Sequence, residues 1–405
     1  MNYESINSEE QLARYCSELA AAPRIAFDTE FVSEDTYRSN LCLVQVAALD
    51  RLAVIDAIKL RDLTPFWTSL ADGSHETIVH AGREEVLFSL HAIGRAPANL
   101  TDVQLAAGLA GYEYPAGYGS LVQKILGHRP PKGETRTDWR KRPLTKHQLE
   151  YALSDVIHLA PMYDALLAEL DPLGRRVWLK EEMAAWQQDV DDYRTQPRWR
   201  RVSGISGLSR KSLAIVRELW QWREEEAERR NKPVRRVLRD DLIVEMAKRA
   251  TADPKQIAAT RGLDRENWQR VIPEFANRIE RALATPEPEQ PRQARSEPPS
   301  QLNLLGQFLS SALTSICRSA KVAPSLVGTA TDVRDLIAHR LGFAGGSDHQ
   351  TPLLAEGWRA EVVGHLIEDL LAGKVSIRIA DPHSNEPLTF EPVAKTDPSN
   401  TNPKR

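Results

Sequence analysis

Residues 1 to about 180 alternate short apolar runs with amphipathic stretches, and that alternation restricts the fold more than any other feature. Arg24-Ile25-Ala26-Phe27-Asp28, Leu41 to Ala47, Leu52 to Asp56 and Thr77 to His80 have the length and residue types of strands. Helical spacing recurs at 8–20, 59–71, 83–92, 102–110 and 120–126. Thr145-Lys146-His147-Gln148 has the form of a capping box and opens a helix that runs past Asp155. Strands interleaved with helices pack as a sheet covered on both faces, so a three-layer α/β domain is expected here.

From about 200 the signals are helical only. Ser209 precedes a helix to about Arg230, Asp240 begins one to about Ala250, shorter ones follow Asp253 and Asp264, and a last one covers 274–284. Trp220 and Trp222, two apart on a helix, cannot both face one core, so one is expected to be partly exposed. Thr285 to Ser300, TPEPEQPRQARSEPPS, is too rich in proline and charge to bury anything. Leu302 to Ile379 returns to helical periodicity, and the proline-rich segment from Asp381 reads as a disordered tail. The expected division is 1–195, 205–288, a linker at 289–300, a second helical domain at 301–380, and the tail 381–405.

At 405 residues the chain exceeds what one core usually supports. No apolar run approaches the roughly 18 residues of a membrane-spanning helix, and Met1-Asn2-Tyr3-Glu4-Ser5 lacks the order of a signal peptide, so a cytoplasmic protein with no membrane partner is expected. Cys16, Cys42 and Cys317 are too scattered for a disulfide framework or a zinc site and read as reduced packing residues. A net charge of -3 conceals a crowd of Arg and Lys between Arg194 and Arg249, which favours a polyanionic partner.

On a strand, Asp28 and Glu30 point to one face while Phe27 and Phe31 point to the other. On a helix, Tyr151 and Asp155, four apart, share a face. A lone Asp-x-Glu is more often a solvated strand edge, and a lone Tyr-x-x-x-Asp more often a packed Tyr beside an exposed Asp. Their order and spacing together, with Glu84 and Glu85 after Val79-His80-Ala81, suit a site for divalent cations.

Read jointly, these motifs resemble the ribonuclease D family and the wider group of 3′ to 5′ exonucleases with four acidic residues. Phe27-Asp28-Thr29-Glu30-Phe31 is similar to the first motif, His80-Ala81-Gly82-Arg83-Glu84-Glu85 to the second, and Tyr151-Ala152-Leu153-Ser154-Asp155 to the third. Thr101 to Ala106 and Asp138 to Leu144 are similar to the segments between them. The tyrosine subclass fits, because the place of the alternative His is taken by Glu150. His80, His147 and His158 read as packing or surface residues.

The resemblance implies a ribonuclease H-like mixed sheet with helices on both faces, followed by all-α HRDC-type domains. It also implies two divalent cations, Mg²⁺ or Mn²⁺, held by Asp28, Glu30, Glu85 and Asp155, with Asp28 shared between them and Tyr151 orienting the nucleophile. Glu84 matches a family residue outside the ligand set. The expected partner is the single-stranded 3′ end of RNA, transfer RNA precursors above all, cleaved by a monomer without a nucleotide cofactor. No phosphate-loop sequence is present, which removes a helicase reading.

One position departs from the pattern: Glu85 stands where the family has Asp. Its extra methylene moves the carboxylate by roughly 1 Å, against a tolerance of about 0.2 Å in metal–ligand distances. A non-catalytic RNA-binding protein is therefore a second reading. A DNA exonuclease is a third, because only a contact to the 2′-hydroxyl separates RNA from DNA. Around residues 198–236, basic side chains with Trp199 suit a phosphate backbone and a stacked base. Trp358 in Gly357-Trp358-Arg359 reads as a core anchor.

Overall fold

The computed structural model describes residues 1–60, 62–130, 137–263, 266–286, 300–343, 351–384 and 386–393. The first part is a six-stranded mixed sheet of β1 Glu4–Ile6, β2 Arg24–Val32, β3 Asn40–Ala48, β4 Arg51–Ile55, β5 Glu76–Val79 and β6 Leu100–Asp102, in the spatial order β1-β4-β3-β2-β5-β6. β2, β3 and β4 pair antiparallel, β1 is parallel to β4, and β2, β5 and β6 run parallel. β1 and β6, three residues each, are too short to show alternation and are not signalled in the sequence.

Around the sheet lie α1 Glu9–Leu19, α2 Thr64–Asp72, α3 Arg83–Ile93, α4 Val103–Leu109, α5 Tyr118–Leu126, α6 Lys146–Ile157, α7 Leu159–Leu170 and α8 Arg176–Thr195. Capping boxes Ser8–Gln11 and Thr145–Gln148 start α1 and α6. The helix expected from 59 begins only at Thr64. Asp56 accepts the N–H groups of Ile58 and Lys59 and turns the chain, and Pro65 then enters the first helical turn, where its missing donor costs nothing. Alternation along β2 divides the layers: Phe27 packs edge-on against Phe66 and Trp67 of α2, while Asp28 and Glu30 face the side covered by α6.

The middle of the chain is a helical module with its own core: α9 Arg210–Arg230, α10 Val234–Val237, α11 Asp240–Arg249, α12 Pro254–Ala258, α13 Glu266–Gln269 and α14 Ile272–Ala284. Ser209 caps α9 and Asp253 caps α12 as their side chains suggest; Asp264 lies outside the described residues. Asp240 does not cap α11. It lies within the first turn and accepts from the Arg223 guanidinium (2.5 Å) and the Ser203 N–H (3.1 Å). Both Trp220 and Trp222 are buried, against expectation, because α10, α11, α14 and the 199–201 turn enclose α9 on several sides. Trp199, only 8% exposed, belongs to the same core and cannot stack a base.

The last part holds α15 Ser300–Ser319, α16 Pro324–Val327, α17 Ala330–Arg340, α18 Gly357–Arg359, a π turn Ala360–Gly364 and α19 His365–Leu371. It is not a separate core as expected: its apolar residues join those of the first part in one cluster. Trp358 stacks on Trp178 of α8 at 5.4 Å, and Arg359 makes two 2.7 Å bonds to Glu182. Arg175 donates to the carbonyls of Leu109, Ala320 and Lys321 across the junction. Gly111, at φ +99°, allows that approach, since a Cβ there would lie 3.0 Å from the Lys321 carbonyl oxygen.

The chain also departs from the all-α, then disordered, ending that the sequence suggests. β7 Val375–Ile379 and β8 Leu388–Pro392 pair as an antiparallel hairpin, so regular structure continues past 381. Proline is tolerated at such edges where no ladder donor is needed. The expected linker 289–300 falls outside the described residues except at Ser300, and the tail is described only as far as Val393. Among the described residues, no helix is long and apolar enough to cross a membrane, and the three cysteines are free and buried.

Candidate active site

Asp28 and Glu30 leave β2 on one face just before a bulge between Glu30 and Phe31, and α6 crosses that face with Asp155. One carboxylate oxygen from each of the three lies within 4.8 Å of the others. Gln45, directly across the ladder from Asp28, donates from Nε2 to Asp28 Oδ2 at 3.0 Å, and its buried Oε1 has no protein partner.

Glu85 is close by but not in that cluster. It sits in the first turn of α3, on the side of β2 to which Thr29 points, and is 4% exposed. Thr29 Oγ1 donates to Glu85 Oε1 at 2.5 Å, so the longer side chain is tied to the residue between Asp28 and Glu30. Glu84 points elsewhere and accepts from Ser39 Oγ at 2.7 Å.

The turn that aims α3 is built by Asp102, which lies in the family-like segment Thr101 to Ala106. Asp102 is buried and accepts from the N–H groups of Ala81 and Gly82, both at 3.0 Å, as well as from Gln104 at 2.9 Å. Ala81 is held at φ +53°, and a Cβ on Gly82 would clash with Val79, so this β5–α3 turn accepts little variation. His80 Nε2 meets the Ala116 carbonyl at 2.9 Å; that oxygen only accepts, so Nε2 carries the proton and His80 is a satisfied strand-end residue.

Tyr151 and Asp155 lie on one face of α6, close enough for the phenol to interact with the carboxylate. Burial first, and then the charge of Asp155, push the Tyr151 pKa far up, so the phenol stays protonated and can orient a nucleophile but not deprotonate it. Trp139 stacks on the Tyr151 ring at 6.2 Å, and Tyr118 donates to the Ser154 carbonyl at 2.7 Å, which braces α6 beside Asp155.

The carboxylates are held at a cost. Burial, then the charges of Asp155 and Glu85, raise Glu30 to about 8; burial raises Asp155 to about 6 and Glu85 to about 7. Asp28 is raised well above the ordinary range, by burial and then by Glu85, Asp155 and Glu30. Clustered acids that repel one another beside an unpartnered amide oxygen form an all-oxygen donor set, which fits a hard divalent cation.

A sign follows for stability. These groups bind protons more tightly folded than unfolded, so without cations the protein is expected to lose stability as pH rises from about 4.5 through about 8. Melting temperatures in EDTA should fall across that interval and be restored by Mn²⁺ at its upper end. A flat profile in EDTA would contradict the electrostatic account.

Comparison with known proteins places this geometry. A 3′-5′ exonuclease family model matches residues 3–171 and an HRDC domain model matches 212–279. The chain is 33% identical to a ribonuclease D of Nitrobacter hamburgensis over 380 residues, covering 92% of this chain and 96% of that one. It is 36% identical to a ribonuclease D of Acidiphilium cryptum over 382 residues, covering 92% and 94%. The chain belongs to the ribonuclease D family. The crystal structure of Escherichia coli RNase D, described as an exoribonuclease involved in structured RNA processing, superposes with a TM-score of 0.79 at 28% identity, covering 92% of this chain and 99% of that one.

The chain is accordingly a 3′–5′ exoribonuclease, with a mixed-sheet catalytic domain and an HRDC domain. Asp102, Trp139 and Tyr118 are the site's supports that reading motifs alone does not single out. Each acts through a backbone group or a ring, and spacing carries no sign of that. A buried Asp before a helix was the one available hint, since Asp is a frequent helix N-cap.

Proposed function

We propose that the chain trims single-stranded 3′ ends of structured RNA precursors, transfer RNA among them, as a cytoplasmic monomer that uses two divalent cations, Mg²⁺ or Mn²⁺. The observation that carries this reading is the meeting of Asp28, Glu30 and Asp155 within 4.8 Å beside Tyr151. Asp28, Glu30 and Asp155 would hold one cation, and Glu85 with Asp28 the second. Bound there, such ions supply Lewis-acid stabilisation of the attacking and leaving oxygens of a phosphodiester. Tyr151, kept protonated, fixes the nucleophile by hydrogen bonding, and Gln45 fixes the rotamer of Asp28.

Incubating 5′-labelled single-stranded RNA and DNA of one sequence with either metal tests this proposal. A ladder shortening one nucleotide at a time from the 3′ end of RNA is expected. No shortening with Mg²⁺ or Mn²⁺, or cuts inside the strand, would overturn it.

Glu85 gives a second expectation. Its bond to Thr29 holds the carboxylate away from the cluster, so Thr29→Val should free it, while Glu85→Asp should shorten its reach. Both variants are expected to change the half-saturating concentration of the weaker cation by about tenfold, equivalent to roughly 1.4 kcal/mol, with little change for the tighter one. Calorimetric titration with Mn²⁺ separates the two. Equal weakening of both ions would show that Glu85 belongs to the tight site.

A further inference from the structure

Between the catalytic domain and the HRDC domain runs an open groove of about 650 Å³. Ser39 and Glu84, the latter next to Glu85 in the chain, line it together with the end of α8, α9 and the 233–235 segment. Six arginines and three acids line it, so its charge is positive. All three acids are already engaged: Glu84 by the Ser39 hydroxyl, Glu224 by the Tyr37 hydroxyl and Arg223, and Asp240 by Arg223.

Tyr193 is one of its lining residues. The guanidinium carbons of Arg83, Arg198 and Arg201 lie 4.1, 3.3 and 5.7 Å from its ring centroid. None of these three arginines forms an ion pair among the described residues. Three like charges gathered on one ring repel each other, and the ring quadrupole offsets only part of that repulsion. A guanidinium held over an aromatic ring keeps N–H donors free for planar, two-point contact with an anion. The chemistry that completes such a cluster is a phosphodiester oxygen.

We propose that this groove binds the phosphate backbone of the RNA strand upstream of its 3′ end, with Arg198 and Arg201 as the phosphate contacts and Tyr193 as the plate that orients them. The inference rests on the exoribonuclease reading of the neighbouring carboxylates. It adds that the enzyme grips a strand outside the reacting site, and that this grip is absent for substrates too short to reach the groove.

The test uses the full chain and two RNA lengths, a dinucleotide and a strand of about 16 nucleotides, the upper end of common single-strand site sizes. Binding of the longer strand is followed by fluorescence anisotropy in EDTA as salt is raised. The double variant Arg198→Ala, Arg201→Ala is expected to weaken that binding at least tenfold. It should also lower the slope of log K against log salt by about 1.4, or about 0.7 for each lost contact. Turnover of the dinucleotide with Mn²⁺ should stay within twofold of wild type. Arg198→Lys, which keeps the charge and loses the stack, should recover the slope but not the full affinity.

Unchanged affinity and slope in a double variant whose melting temperature matches wild type would overturn the proposal and leave the nuclease reading intact. An equal loss on the dinucleotide would also overturn it, because the arginines would then be acting through the active site. Absence of cleavage by the wild type on either length would instead strike at the nuclease reading.

Discussion

Asp28→Asn is expected to lower exonuclease turnover by about 10³-fold or more while raising the melting temperature of the metal-free protein. Asparagine is isosteric and can still accept the Gln45 bond, so the fold around β2 loses no partner. What it loses is the charge that faces Glu85, Asp155 and Glu30. With one fewer repelling carboxylate the apo site is relaxed, whereas cation-supplied stabilisation of the transition state, several kcal/mol, goes with the ligand, at 1.36 kcal/mol per tenfold. Single-turnover cleavage and thermal melts in EDTA read the two effects separately. Inactivity together with a lower melting temperature would point to misfolding and not to a lost ligand.

Arg142→Ala should be the most destabilising of the substitutions considered, by about 3–5 kcal/mol, the range for removing one partner of a buried pair. Arg142 gives two 2.7 Å bonds to Asp56 and further bonds to the carbonyls of Cys42, Trp139 and Lys141. Burial opposes the charge of Asp56, yet its bonds and attraction to Arg142 outweigh that and hold the carboxyl below its ordinary range. Without the guanidinium, Asp56 keeps only the Ile58 and Lys59 N–H groups and the Lys59 ammonium at 3.8 Å. The same loop carries Trp139, which stacks on Tyr151, and Thr145, which caps α6, so turnover should fall as well. Urea unfolding gives the number. A change under about 1 kcal/mol would mean the pair behaves as a surface ion pair.

How far the sequence revealed this arrangement depended on which physical signal each part left. Long β2 and β3 announce themselves by their apolar runs, and the capping box at Thr145 by residue type. Asp28, Glu30 and Asp155 are brought together because alternation and helical phase put them on facing surfaces. Glu85 lies off that cluster for a reason alternation also contains: Thr29 faces the other way and catches it. Nothing local shows that bond before α3 is docked.

Tertiary contacts decided what local patterns could not. Trp199, Trp220 and Trp222 are all buried because α9 is enclosed on several sides, a fact about its neighbours and not about its own spacing. The last helices look like a separate domain in sequence, yet Trp358, Arg359 and Arg175 fasten them to α4 and α8 in one core. Prolines after 381 suggest disorder, but a two-stranded pairing needs only a few free donors, and 388–392 supply them.

The central claim is that the facing carboxylates of β2 and α6 form a divalent-cation site. Calorimetric titration of the metal-free protein with Mn²⁺ near neutral pH, in buffers of differing ionisation enthalpy, tests it most directly. Binding with proton release is predicted, because Glu30 must shed a proton held up to about 8. The tight binding event should be lost in Asp28→Asn. Mn²⁺ binding of the same strength and proton count in Asp28→Asn as in wild type would contradict the account.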